Sequence, residues 1–168
     1  MRQRKRQHGL TTVEFALVAG LFFTLVLTAL QFGSWFIDRT VIMNAALEGA
    51  RIFSAMRHYA TPHTRTLAAV NAQLPGSMRV GQRTTMVLSV TPPGGSPTTC
   101  NSDATCRAAL GTDRTDPIDV KDATDLYRGT TASVTLTMST PIFTTFGLPG
   151  SISATMSELV QGANKDAP

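Results

Sequence analysis

The clearest pattern in the chain is a continuous apolar run near the N-terminus. No charged residue occurs between Phe15 and Ile37, a stretch of 23 residues. At about 1.5 Å per residue, a helix of this length crosses the roughly 30 Å hydrocarbon core of a bilayer. The apolar part of a cleavable secretory signal is shorter, about 7–15 residues. The run therefore predicts a transmembrane helix over residues 10–37, preceded by a basic leader over residues 1–9.

The pattern changes after Asp38 but keeps a helical period. Apolar and small side chains recur at steps of three and four residues, which places them on one helical face. They are Ile42, Ala45, Ala46, Gly49, Ile52, Phe53 and Met56. We expect residues 38–60 to continue the same helix as an amphipathic segment that lies on a soluble domain, residues 61–168. Thr61-Pro62 predicts a break and a short second helix, which Pro75-Gly76 ends.

Three later segments alternate between apolar and hydroxyl-bearing side chains. They cover residues 84–91, 131–139 and 151–157, with Val87 as the exception in the first. A period of two predicts strands with one buried face and one polar face. The expected fold class is α+β, in which a long N-terminal helix, first transmembrane and then amphipathic, packs on a small antiparallel sheet of about three strands.

A long insertion, residues 92–129, separates the first two predicted strands. It begins as a loop rich in proline and glycine and later carries acidic residues at a step of three, namely Asp113, Asp116, Asp119, Asp122 and Asp125. A calcium loop requires a different spacing and a central glycine. A short helix over residues 117–127 is therefore the preferred interpretation, and metal binding is the alternative.

The connection between the last two predicted strands, residues 141–149, is unusually apolar for a loop. It contains Phe143, Phe146 and Leu148. Such a loop is either tucked under the domain or exposed to a partner, and we favour partner contact.

The net charge of +4 and the pI near 9.6 do not indicate nucleic-acid binding. Four of the fifteen basic residues lie in the leader, which leaves eleven basic against eleven acidic residues in the rest of the chain. Basic residues flanking a membrane helix favour the cytoplasmic side. We therefore expect a single-pass protein of the inner membrane with a cytoplasmic N-terminus and a periplasmic domain, and no nucleic-acid partner.

Cys100 and Cys106 flank a short polar stretch, residues 101–105, which we expect to be a loop. An even cysteine count in an exported domain favours a disulfide. Metal binding is the alternative, but no histidine lies near the pair. No catalytic motif occurs in the chain, so we expect neither enzymatic activity nor a cofactor.

The junction before the apolar run resembles that of prepilin-type proteins. A short basic leader ends in Gly9, the apolar helix begins at Leu10, and its fifth residue is Glu14, followed by Phe15. The resemblance implies that a membrane-embedded prepilin peptidase cuts after Gly9. It also implies that Glu14 pairs with the N-terminal amine of a neighbouring subunit during assembly. A simple membrane anchor, in which Glu14 only reaches to the membrane surface, is the alternative.

A second segment indicates a particular family among the prepilin-type proteins. Residues 44–51 are similar to the NAA-x-EGAR segment of TadE-like pseudopilins of tight-adherence (Flp-type IVb) pilus systems; the matching residues are Asn44, Ala45, Ala46, Glu48, Gly49 and Arg51. The resemblance implies a type IV pilin-like fold and a minor pilin or pseudopilin that contacts other pilins and the assembly machinery. A type II secretion pseudopilin and a membrane-anchored periplasmic binding module are the alternatives.

Overall fold

A computed structural model of the protein describes residues 4–111, 129–140 and 150–160; of residues 4–11 and His58 it describes the backbone alone. The chain divides into two units between Asp38 and Arg39. The first unit contains the N-terminal part of helix α1, and the second contains the remainder of α1 and every other described element. The elements are α1 (Arg4–Ala55), a 3-10 turn (Met56–His58), α2 (Pro62–Gln73), a second 3-10 turn (Gly76–Met78), β1 (Thr84–Thr91), β2 (Thr98–Cys100), α3 (Asp103–Leu110), β3 (Thr131–Ser139) and β4 (Ser151–Leu159).

The four strands form one antiparallel sheet in the order β2-β1-β3-β4. The central strands β1 and β3 pair along their whole length, from Thr84 opposite Met138 to Thr91 opposite Thr131. The predicted α+β class is confirmed, and β1 and β3 have the predicted bounds. β4 is two residues longer than predicted, and the short strand β2 lies in a region that we expected to be loop.

Alternation along the strands separates the core from the solvent. The inward side chains of β3 are fully buried, and those of its neighbours are mostly buried; the buried members include Leu88, Val90, Ala132, Val134, Leu136, Met138, Ile152 and Ala154. The outward face is lined with hydroxyls, two pairs of which hydrogen-bond across β3 and β4 at 2.9 Å, Ser133 with Ser157 and Thr135 with Thr155. Val87 belongs to this outward face and is exposed. It interrupts the alternation because it is an apolar residue at a position where the other outward residues of β1 carry hydroxyls.

The C-terminal part of α1 covers the buried face of the sheet. Ile42, Ala50 and Phe53 on this part are fully buried. At Gly49 an ideal Cβ would lie 2.7 Å from Val70 Cγ2 of α2 and 3.4 Å from Val134 Cγ1 of β3. Real Cβ atoms essentially never approach another atom within 3.0 Å, so the absence of a side chain at Gly49 permits this close packing.

Helix α2 begins and ends where the sequence predicts. Thr61 is the N-cap, Pro62 is the first helical residue, and Leu74 is the C-cap. Val70 and Leu74 are buried in the core.

The stretch predicted as a polar loop, residues 101–105, is instead the start of α3. Ser102 is the N-cap, and its side chain and that of Thr105 form a capping box. Gly111 ends the helix in the left-handed conformation, with φ of 76°. The prediction of a loop was wrong because the capping residues at the helix start are the same polar types that are common in loops. The predicted helix over residues 117–127 and the aspartates from Asp113 to Asp125 lie outside the described residues.

Candidate functional site

The first unit presents an apolar helical surface without a cover. None of the described side chains from Thr12 to Ile37 is buried. Fourteen of them are large hydrophobic residues that are exposed, among them Phe15, Leu21 and Phe23. By length and composition, α1 is the one helix among the described residues that could cross a membrane.

Three hydroxyl side chains within this surface bond to their own helix. Thr24 Oγ1 donates to the carbonyl oxygen of Leu21 at 2.8 Å, and Thr28 Oγ1 donates to that of Thr24 at 2.7 Å. Ser34 Oγ makes the equivalent bond to Gln31 at 2.9 Å. A hydroxyl that is satisfied in this way needs no water, so these three residues are compatible with an apolar surrounding.

Glu14 is the single ionisable side chain in this surface. Glu14 and Phe15 are both exposed, and 74% of the Phe15 surface is accessible. The backbone of Gly9 and Leu10 is helical and belongs to α1. Because α1 is continuous here, Leu10 and Glu14 lie on one helical face, about 6 Å apart along the axis. A cut after Gly9 would therefore place a new amine close to the Glu14 carboxylate.

The family segment, residues 44–51, has two distinct faces. Ala45, Ala46 and Gly49 are buried against the domain. Asn44 and Arg51 are exposed, and Glu48 is half-buried. The small residues of the motif therefore serve the close packing of α1 within the second unit, while its polar residues face away from that core.

Cys100 and Cys106 form a disulfide, with their Cα atoms 5.0 Å apart. The prediction of a bridge is confirmed, and the metal-binding alternative for this pair is excluded because both sulfurs are in the bridge. The bond joins β2 to α3, and both cysteines are buried.

Sequence reasoning missed the role of Asp103, which lies between the two cysteines. Its carboxylate accepts hydrogen bonds from the Thr64 backbone N–H at 2.9 Å and from Thr64 Oγ1 at 2.6 Å. Partial burial acts to raise the pKa of Asp103, but these bonds, together with His63, outweigh it and hold the pKa below its ordinary value of 3.8. No local signal indicates this contact, because Thr64 lies 39 residues away.

The predicted partner-contact residues Phe143, Phe146 and Leu148 lie outside the described residues. Within the described residues, no three His, Cys, Asp or Glu side chains are grouped so that they could hold a metal ion.

A comparison with protein families finds a match for the N-terminal part of the chain. The family model described as TadE-like protein matches residues 9–51. The match covers the Gly9 junction, the exposed apolar surface of α1 and the segment from Asn44 to Arg51, so the predicted resemblance to TadE-like proteins is confirmed over these residues. No curated protein and no solved structure matches the chain significantly.

Proposed function

We propose that this protein is a minor pilin or pseudopilin that takes part in the assembly of a tight-adherence (type IVb) pilus. In this proposal α1 anchors the protein in the inner membrane, with the N-terminus in the cytoplasm and the α+β domain in the periplasm. The observation that carries the proposal is the uncovered apolar surface of α1 with Glu14 as its single ionisable group, inside the segment that the TadE-like family model matches.

The apolar surface requires a cover. Burying a large hydrophobic side chain is worth about 1.5–3 kcal/mol, so fourteen of them in water correspond to a cost on the order of 20 kcal/mol or more. Lipid supplies the cover before assembly, and the helices of neighbouring pilins supply it afterwards. Trp35 and Phe36 stack edge to face at 5.3 Å near the end of the run, where interfacial aromatic residues favour the membrane boundary.

Glu14 distinguishes an assembly helix from a simple anchor. A carboxylate in a helix bundle without a counter-charge costs several kcal/mol, and a partner cation recovers much of this cost. After prepilin peptidase cuts between Gly9 and Leu10, each subunit carries an amine at the start of its helix. The amine of a neighbouring subunit is the proposed counter-charge for Glu14. The protein then acts through contacts with other pilins and the assembly machinery, as a structural component and not as an enzyme.

Substitution of Glu14 tests the proposal. Glu14→Leu makes the helix more apolar, so membrane insertion should persist, while co-purification with other pilins and surface piliation should fail. Glu14→Asp keeps the charge and should retain part of the piliation. Glu158→Leu is the matched control, because it removes a glutamate from β4, outside α1 and outside the segment that the family model matches.

Normal piliation in the Glu14→Leu strain, at wild-type protein levels, would contradict the proposal and favour a membrane-anchored binding module. Co-purification of the wild-type chain with type II secretion components alone would assign it to that system instead.

A further inference from the structure

Helix α3 supplies the cap that α2 lacks. The local N-cap residue of α2, Thr61, makes no side-chain capping hydrogen bond. Instead, Asp103 of α3 accepts the Thr64 backbone N–H at 2.9 Å and the Thr64 hydroxyl at 2.6 Å. Arg107 Nη1 donates to the carbonyl oxygen of Ala60, just before α2, at 3.0 Å. The N-terminal end of α2 is thus held by two side chains of α3, Asp103 in its first turn and Arg107 in its last.

Helix α3 is itself too short to be stable without its contacts to the rest of the domain. It has eight residues, of which Cys106 and Leu110 are buried. An isolated helix of this length is unstable in water, so its attachment to the domain decides whether it forms. One of its two buried side chains, Cys106, is bonded to Cys100 of β2, and Cys100 pairs with Leu88 of β1.

These contacts form a continuous connection from the sheet to α2. It runs from β1 to β2 through the strand pairing, from β2 to α3 through the disulfide, and from α3 to α2 through Asp103. We propose that the Cys100–Cys106 disulfide is a redox latch that docks the N-terminal end of α2 onto the domain through Asp103.

The latch closes by thiol–disulfide exchange. A disulfide oxidant, either an oxidoreductase or a small-molecule disulfide, accepts two electrons and two protons from the thiols of Cys100 and Cys106 and leaves as two thiols. The attachment of α3 and of the N-terminal end of α2 to the domain therefore forms only in a compartment that oxidises thiols. The identity of that compartment rests on the proposed topology, whereas the coupling between the disulfide and α2 does not.

The effect of opening the latch is local. β1 and β3 pair along eight residues each, and their inward side chains belong to the core beneath α1. The C-terminal half of α2 remains in that core through Val70, which is fully buried. Reduction should therefore release α3 and the first turn of α2 and leave the sheet intact.

Amide hydrogen exchange of the full chain in detergent micelles tests the coupling. The oxidised protein is compared with the same protein reduced by tris(2-carboxyethyl)phosphine and with a Cys100→Ala/Cys106→Ala variant; if the variant does not fold, the reduced wild-type chain provides the measurement. On reduction, residues 61–66 should exchange about tenfold faster, the size expected when a helix loses its cap. Exchange in residues 103–110 should also rise, while β1 and β3 should not change.

Asp103→Ala, with the disulfide intact, should speed exchange in residues 61–66 without releasing α3. Reduction of this variant should add little further exchange there. Glu158→Ala removes an acidic side chain from β4 and is the matched control, which should behave as the wild-type chain.

Three results would overturn the proposal. The first is unchanged exchange in residues 61–66 after complete reduction. The second is an equal rise in β1 and β3, which would make the disulfide a general staple of the domain. The third is a full response to reduction in the Asp103→Ala chain, because the coupling would then not pass through Asp103.

Discussion

Replacing Gly49 with alanine tests the packing of α1 within the domain. An added Cβ would lie 2.7 Å from Val70 Cγ2, whereas carbon atoms pack at about 3.5–4.0 Å. α1 and α2 would have to separate by roughly 1 Å to restore that distance, because Val70 is fully buried. Overpacking of this kind costs about 1–3 kcal/mol, and the better helix propensity of alanine returns about 1 kcal/mol. We therefore expect Gly49→Ala to destabilise the domain by about 1 kcal/mol.

A double-mutant cycle with Val70 sharpens this prediction. Val70→Ala removes the methyl group that the new Cβ would meet, at its own cost in lost packing. In the Val70→Ala background, Gly49→Ala should be neutral or stabilising, because only the gain in helix propensity remains. The sign of the Gly49→Ala effect should therefore reverse between the two backgrounds. Gly76→Ala is the control, because an added Cβ there meets no atom within 4 Å.

Pulse proteolysis of the full chain across a urea series in detergent measures these effects. Circular dichroism is less suitable, because an apolar helix that stays folded in detergent would mask unfolding of the domain. If Gly49→Ala stabilised the wild-type chain as much as it stabilised the Val70→Ala chain, the close approach between α1 and α2 would be refuted.

Two further predictions concern processing and pH. The intact mass of the mature protein from its native host should correspond to a chain that begins at Leu10, and substitution of Gly9 by a bulky residue should block this cut; a membrane pool that retains Met1 would contradict it. Hydrogen bonding holds the pKa of Asp103 below its ordinary value of 3.8 in the folded domain, so its carboxylate contributes stability that is fully present above pH 3.8 and is lost as the pH falls through the lowered pKa. The stability difference between the wild-type chain and Asp103→Asn should therefore shrink below pH 3.8, and a difference that stayed constant with pH would contradict the Asp103–Thr64 contact.

The sequence alone determines the elements whose pattern is local and repeated. The long apolar run predicts α1, and alternation, broken only at Val87, predicts β1 and β3 with the bounds that the structure has. These predictions succeed because the apolar residues of each segment recur at the period of its own secondary structure, so that one face is buried. Pro62 and the residues around it likewise predict the start of α2 from backbone geometry alone.

The tertiary structure decides the features that depend on distant residues. A three-residue strand such as β2 has too few positions to show a period, and it exists because β1 offers it an edge to pair with. The close approach at Gly49 cannot be inferred from a glycine in a helical pattern, because it depends on Val70 and Val134. The cap on α2 is the clearest case: Asp103 reaches Thr64 because a disulfide and an eight-residue helix bring together groups 39 residues apart. Such a contact leaves no local signal, since neither residue alone specifies its partner.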